Sequence, residues 1–277
     1  MSIAFELELA PDRILRGTAF PSQHESQGVV IVCHGYKGFK DWGFFPYLGE
    51  QLATSFDVIT FNFTHNGVGE DPFTFTELDK FACNTYTREL EDLEFLVNAV
   101  RQGRTPLGLR VEEDVYLLGH SRGAGDSLLY ALEHPGEVAG VISWNGITNV
   151  DLYSDQEKAD MREHGRAYVL NGRTKQHMPL DRVLLEDLEA NAGRFDILGR
   201  IQGIQPPVVL IQGTEDSARL RKGSAALTEL RPDIPWLKVS GGNHTFGAVH
   251  PFQGITEPLE EAIRLTQQWL TSQTMKK

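Results

Sequence analysis

One stretch, Val115–Gly125, constrains the fold more than any other part of the chain. It begins with the apolar run VYLL, which has the length of a buried strand. The turn GHSRG follows at residues 119–123, and the next residues carry apolar side chains at helical spacing. A strand, a Gly-x-Ser-x-Gly turn and a helix in this order are typical of a sharp elbow that exposes its serine. We therefore expect Ser121 to be a nucleophile; the alternative is an ordinary glycine-rich turn.

The rest of the chain alternates short apolar runs with helical patterns, which predicts an α/β fold with a mainly parallel sheet and helices on both faces. The first two strands form a predicted antiparallel hairpin at a sheet edge. The predicted strands are Ile3–Leu9, Ile14–Phe20, Gly28–Cys33, Asp57–Phe63, Asp114–Leu118, Val138–Trp144, Val208–Gln212 and Trp236–Val239. The predicted helices are Asp41–Ser55, Thr87–Arg101, one that ends near His134, and Glu257–Leu270.

The segment at about residues 147–203 interrupts this alternation. We identify no strong strand between Trp144 and Pro206. Asp151–Gly165 is polar with a helical pattern, and Pro179–Asn191 reads as an amphipathic helix. A segment of this length is long for a loop, so we expect a cap over the site, inserted into a single domain that spans residues 1–277.

Composition excludes several classes of function. The formal net charge of −12 argues against nucleic acids and anionic membranes as partners, because both attract basic patches. Two cysteines do not make a disulfide framework, and no stretch has signal-peptide or membrane-span character, so we expect a soluble cytoplasmic protein. We find no phosphate-binding loop, dinucleotide fingerprint or zinc-type cluster, and we expect neither a metal nor a cofactor.

A serine hydroxyl needs a base, and the base needs a group that orients it. Because functional groups gather at the carboxyl ends of parallel strands, we searched the loops after the last two strands. Asp216 is the predicted acid, with the adjacent Glu215 as the alternative. His244 is the predicted base, with His250 as its competitor. The order serine, acid, histidine agrees with the elbow.

Attack on a carbonyl builds negative charge on its oxygen, which backbone N–H groups can stabilise. The two predicted donors are the N–H of Arg122, directly after the serine, and the N–H of Tyr36, in the loop after an early strand. Gly35 permits an unusual turn in that loop. Gly35 and His34 are also candidates for contact with substrate, although His34 fits a structural role as well.

The inserted segment supplies the remaining candidates for substrate binding. Tyr168 and Met178 are possible pocket walls, although a stripe of this kind also fits a hydrophobic core.

These residues carry a resemblance to a known family. The segments HGYKGFKDW, GHSRGA and GGNHTFGAVHPF resemble the α/β-hydrolase superfamily over nearly the whole chain. Within it they are similar to the dienelactone-hydrolase-like and serine-aminopeptidase-like esterases, including cinnamoyl and feruloyl esterases with a short inserted cap. The resemblance implies hydrolysis of a small-molecule carboxylic ester through an acyl-enzyme, without a cofactor. Dienelactone hydrolases proper use a cysteine nucleophile, and Ser121 departs from that pattern.

Two other functions stay open at this point. The first is an aminopeptidase or amidase, which needs acidic groups to bind a free amine. The acidic residues available in the inserted segment are Glu157, Asp160, Glu163, Glu186 and Asp187. The second is a ligand-binding protein on a hydrolase scaffold, which would not need a nucleophile, acid, base and oxyanion loop together.

Overall fold

The structure is a computed structural model that describes residues 1–71, 74–108 and 114–275. The strands in this part of the chain are β1 (Ile3–Ala10), β2 (Arg13–Phe20), β3 (Val29–Cys33), β4 (Asp57–Asn62), β5 (Val115–His120), β6 (Gly140–Trp144), β7 (Arg166–Leu170), β8 (His177–Asp181), β9 (Val208–Gly213) and β10 (Trp236–Val239). The helices are α1 (Phe45–Leu52), α2 (Leu78–Ala82), α3 (Tyr86–Arg101), α4 (Arg122–Glu133), α5 (Asp155–His164), α6 (Val183–Ala190), α7 (Ile197–Arg200), α8 (Ala218–Leu230) and α9 (Glu257–Thr274).

Eight strands form one twisted sheet in the order β1-β2-β4-β3-β5-β6-β9-β10. The pairs β1–β2 and β2–β4 are antiparallel, and all other neighbours in this sheet are parallel. The carboxyl ends of β3, β5, β6, β9 and β10 therefore lie along one edge of the sheet, where parallel α/β sheets bind their ligands.

The central strands β3, β4, β5, β6 and β9 are buried at every position because both of their faces are covered. Along β3, Val29, Ile31 and Cys33 belong to the hydrophobic core on one face, whereas Val30 and Val32 belong to the core on the other. This alternation is what a strand with a period of two produces between two layers of helices. The predicted α/β fold, with its edge hairpin of β1 and β2, is confirmed.

The prediction of no strong strand between Trp144 and Pro206 is wrong. Strands β7 and β8 form a separate antiparallel hairpin, directly after α5 ends at the left-handed Gly165. The predicted helix Pro179–Asn191 is also wrong in its first part, since Pro179 pairs with Tyr168 in the hairpin and the helix begins at Val183. Buried residues 180, 184 and 185 fall in one hydrophobic cluster, and this spacing resembles a continuous helical face.

Helix α1 is shorter than predicted. The sequence pattern placed its start at Asp41, but Gly43 has φ +48° and the helix begins at Phe45, with Pro46 in its first turn. Proline is favoured in the first turn because its missing N–H would have no partner there. The four residues before Phe45 instead form a turn beside the carboxyl end of β3, which brings Trp42 to the candidate site.

Candidate active site

Ser121 lies at a strained turn between β5 and α4. Its backbone has φ 58° and ψ −115°, a conformation that residues with a side chain rarely adopt. A Cβ atom at Gly119 would lie 2.2 Å from the Gly123 carbonyl oxygen, and one at Gly123 would lie 2.4 Å from that of Cys33. Both glycines are thus required by close backbone packing, and the strained serine is held where strand and helix meet.

Asp216 and His244 form a hydrogen-bonded pair at the ends of β9 and β10. The distance from His244 Nδ1 to Asp216 Oδ1 is 2.9 Å. The same carboxylate accepts hydrogen bonds from Gln212 Nε2, at 3.0 Å, and from the Ser217 N–H, at 2.8 Å. Burial alone would raise the pKa of Asp216, but the hydrogen bonds from His244 and Gln212 outweigh it and lower that pKa. Glu215, the alternative acid, is exposed.

His250, the competing base, has a different environment. Its Nδ1 accepts a hydrogen bond from the Gly43 N–H at 3.0 Å, and its ring stacks on Trp42 and packs against the edge of Phe39. Burial lowers the pKa of His250. It thus fixes the turn before α1, and His244 is the histidine that the structure brings to the buried carboxylate.

Two cavities meet at Ser121 and His244, which line both of them. The smaller cavity has a volume of about 210 Å³, and the larger one about 400 Å³. Residues that line the smaller cavity include Gly35, Trp42, Phe45, His120, Asn171 and Arg173. Residues that line the larger cavity include Ile147, Leu152, Tyr153, Glu157, Val169 and Leu220. The serine is therefore open to a ligand on two sides.

The loop after β3 passes directly beside the elbow. A Cβ atom at Gly35 would lie 3.0 Å from the Cβ of Ser121, and Tyr36 lines both cavities. Within the described ranges, the N–H groups of Tyr36 and Arg122 donate no hydrogen bond to the protein. These are the two predicted donors: one belongs to the loop beside the elbow and the other to the first residue of α4.

The side chain of Arg122 points away from the cavities into the protein. It donates a hydrogen bond to Glu89 Oε2 at 2.6 Å and another to the Asn84 carbonyl oxygen at 3.0 Å. Its guanidinium also lies 3.9 Å from the centre of the Tyr86 ring. Arg122 therefore anchors α4 to α3 by a buried ion pair.

Three predicted substrate-binding residues lie elsewhere. His34 is buried: its Nδ1–H donates to the Gly35 carbonyl oxygen, and its Nε2 accepts from the Phe63 N–H. Burial lowers the pKa of His34 to about 4, so the ring is neutral and structural. Met178 is fully buried in the core of the inserted segment, and Tyr168 is 58% exposed on its outer surface. The prediction that Tyr168 and Met178 form pocket walls does not fit these positions, because neither lines the cavities at Ser121.

Sequence analysis missed two residues that hold the His244 loop. His120 Nε2 lies 2.8 Å from the His244 carbonyl oxygen and donates to it, because a carbonyl oxygen can only accept. Burial lowers the pKa of His120 to about 3, which keeps the ring neutral. Asn145, fully buried after β6 with φ 46°, donates from Nδ2 to the carbonyl oxygens of His244, at 2.9 Å, and Asn243, at 3.2 Å. Its Oδ1 accepts from the Gly213 N–H at 2.9 Å. The position of Asn145 directly after a parallel strand was the available signal.

The described residues contain no group of three or more His, Cys, Asp or Glu side chains placed to hold a metal ion. None of the described helices is both long and apolar enough to cross a bilayer.

A strained serine at a strand–helix elbow and a carboxylate–histidine pair at the next strand ends define the α/β-hydrolase class. Residues 28–164 match the family model described as the alpha/beta hydrolase fold. This match covers just under half of the chain, and the chain has the α/β-hydrolase fold that its sequence motifs predicted.

Solved structures with the same fold have low sequence identity to this chain. Est1E from Butyrivibrio proteoclasticus is 14% identical with a TM-score of 0.70, and the match covers 99% of both chains. The monoacylglycerol lipase of Paleococcus ferrophilus is 20% identical with a TM-score of 0.67, covering 94% of this chain and 99% of the other. A monoglyceride lipase from Saccharomyces cerevisiae is 15% identical with a TM-score of 0.73, and the match covers 99% of this chain and 95% of the other. Curated protein sequences gave no match.

Proposed function

We propose that the protein is a serine hydrolase that cleaves small-molecule carboxylic esters through an acyl-enzyme. The observation that carries this proposal is the 2.9 Å hydrogen bond between Asp216 and His244, beside a cavity that His244 shares with the strained Ser121. A binding protein would need neither the strained elbow nor the paired histidine, so the arrangement favours catalysis.

In this mechanism, Ser121 Oγ attacks the ester carbonyl while His244 Nε2 takes its proton. Asp216 holds Nδ1–H and stabilises the imidazolium, and its lowered pKa keeps it ionised for this role. The N–H groups of Tyr36 and Arg122 stabilise the oxyanion. The alcohol leaves with the proton from His244. Water then attacks the acyl-enzyme with the same proton transfers, which releases the acid and regenerates the serine.

Two observations favour esters over aminoacyl amides. Lys37 and Arg173 line the smaller cavity, and these cations oppose a substrate with a free ammonium group. Of the acidic residues considered for amine binding, Glu157 lines a cavity at Ser121, but its carboxylate already accepts hydrogen bonds from the Ser154 N–H and hydroxyl. Est1E, which shares the fold, has been solved with ferulic acid bound.

The inserted segment acts as the cap in this proposal. Val169 lines the larger cavity, whereas Asn171 and Arg173 line the smaller one. All three come from β7 or from the turn after it, so this hairpin would select which ester groups fit beside Ser121.

A fluorophosphonate probe with peptide mapping tests the nucleophile. We expect a covalent adduct on Ser121 that is lost in Ser121→Ala and strongly reduced in His244→Ala. Ser240→Ala and His164→Ala, at exposed positions, are the matched controls and should label normally. Matched acyl esters and aminoacyl amides then separate esterase from amidase activity. A folded wild-type protein that neither labels nor cleaves any ester would refute the proposal.

A further inference from the structure

Two cations, Lys37 and Arg173, line the smaller cavity with no carboxylate partner among the described residues. Within the described part of the chain, neither Lys37 nor Arg173 forms an ion pair, although the protein carries a net charge of −12. The Arg173 guanidinium donates a long hydrogen bond, 3.4 Å, to the Lys37 carbonyl oxygen. Lys37 Nζ donates one of the same length to the Leu170 carbonyl oxygen. Long bonds to neutral carbonyls leave most of the donor capacity of both groups unused.

These cations are partly withdrawn from water. Burial lowers the pKa of both Lys37 and Arg173, because a cation that lacks a full hydration shell is disfavoured relative to its neutral form. Glu157 acts on Lys37 at longer range, whereas no carboxylate of the described residues opposes the effect of burial on Arg173. An anionic ligand in this cavity would relieve that cost for both groups.

Aromatic residues orient the guanidinium of Arg173. It lies 5.2 Å from the centre of the Phe39 ring and 5.8 Å from that of Trp42, so it faces two aromatic side chains. Asn171, which is buried and lines the same cavity, accepts hydrogen bonds with Oδ1 but leaves its Nδ2 without a partner in the described structure. The cavity that Ser121 lines is therefore also lined by a planar cation and an ammonium.

We propose that the smaller cavity is a carboxylate subsite, in which Arg173 and Lys37 bind a carboxylate carried by one of the two groups that the scissile ester joins. This inference rests on the proposed esterase function and names its substrate class: short half-esters of dicarboxylic acids or esters of hydroxy acids. A guanidinium matches a carboxylate with two parallel hydrogen bonds. The volume of about 210 Å³ is below that of sites for drug-sized ligands, which suits a short acid. The larger cavity would take the other group.

Matched substrates that differ only in charge test the subsite. On the acyl side, we would compare monomethyl glutarate with its terminal carboxamide; on the alcohol side, acetyl glycolate with acetyl glycolamide. Rates are normalised to alkaline hydrolysis of each ester. For at least one pair, we expect wild-type kcat/KM to favour the carboxylate about tenfold or more, which corresponds to about 1.4 kcal/mol. Added salt should reduce this preference.

The variants then assign the preference to the cavity. Arg173→Gln should bring the carboxylate-to-carboxamide ratio to within about twofold of unity, and Lys37→Gln should reduce it in part. Lys175→Gln is the matched control, because it removes an exposed cation from the same turn that does not line the cavity, and it should keep the wild-type ratio. No preference in either pair, or a preference that survives Arg173→Gln, would overturn the proposal.

A binding measurement separates this proposal from the esterase function itself. Calorimetry with Ser121→Ala and monomethyl glutarate or acetyl glycolate should show binding of at least one of them that is lost in Ser121→Ala/Arg173→Gln. Hydrolysis of the carboxamide esters without any carboxylate preference would leave the esterase function standing and reject the subsite. Arg173-dependent binding in a protein that hydrolyses no ester would support the subsite and reject the esterase function.

Discussion

Removal of the Asn145 side chain should destabilise the protein and misplace His244. Three hydrogen bonds are lost, and the buried Gly213 N–H and the His244 carbonyl oxygen lose a partner. At about 1 kcal/mol for each bond, Asn145→Gly should lower the free energy of unfolding by about 3 kcal/mol. Asn145→Ala loses the same bonds and also places alanine in a left-handed backbone conformation, which costs about 1–2 kcal/mol. About 0.4–1 kcal/mol of this is offset, because the unfolded chain has less conformational freedom with alanine than with glycine. The alanine variant should therefore be less stable than the glycine variant by roughly 0–1.6 kcal/mol.

Urea unfolding measures the stabilities, and ester hydrolysis at a temperature where all variants are folded measures the effect on the site. If His244 acts as proposed, a displacement of about 1 Å lowers kcat roughly 100-fold. Leu93→Ala, in the core away from the site, is the control, since a buried leucine truncated to alanine costs about 2–5 kcal/mol without touching the His244 loop.

Two results would refute this reasoning. If both Asn145 variants unfold within about 0.5 kcal/mol of wild type, the three hydrogen bonds do not stabilise the fold. If Leu93→Ala loses as much activity as Asn145→Gly, the loss reflects general destabilisation and not the position of His244.

Three other predictions follow from the described contacts. Because burial lowers the pKa of His34 from 6.5 to about 4, its contribution to stability is present above about pH 6.5 and is lost as the pH falls towards 4. Between pH 7 and pH 5, wild type should lose about 2 kcal/mol more of its free energy of unfolding than His34→Gln does. Equal pH dependence of the two proteins would contradict this. Gly119→Ala should fail to fold or lose at least about 3 kcal/mol in urea unfolding, because its Cβ would lie 2.2 Å from a backbone oxygen; wild-type stability would disprove the packing argument. Arg122→Met leaves Glu89 buried without its cation and should cost about 3–5 kcal/mol, whereas Arg122→Met/Glu89→Leu should recover part of the loss; no recovery would argue against the ion pair as the cause.

The parts of the site that sequence analysis found depend on local patterns or on strand order. Ser121 was predictable because strand, elbow and helix are contiguous. His244 and Asp216 were chosen from the sequence because each follows a strand, with His250 and Glu215 as alternatives. The hydrogen bond between His244 and Asp216 supports that choice. The central strands β3 and β5 were predictable because each contains a continuous apolar run, which burial on both faces favours.

The missed features depend on contacts that no local pattern carries. His120 and Asn145 both donate to the backbone carbonyl of His244, which is 124 and 99 residues away along the chain. Because every residue type has this carbonyl, the side chain at position 244 gives no signal of the contact. The hairpin in the inserted segment places Met178 inside and Tyr168 outside, and a shift of one residue would reverse both. Register of this kind follows from tertiary packing, which the spacing of apolar residues did not reveal.

The position of β10 affects which part of the candidate site unfolds first. This strand has four residues, lies at the edge of the sheet and, among the described strands, pairs only with β9, yet the loop after it carries His244. Short edge elements open at lower free energy than the central strands, where Ser121 is held. Mild denaturant should therefore abolish activity while the central strands are still folded. Amide hydrogen-exchange protection should be lost at residues 236–244 before it is lost in β5.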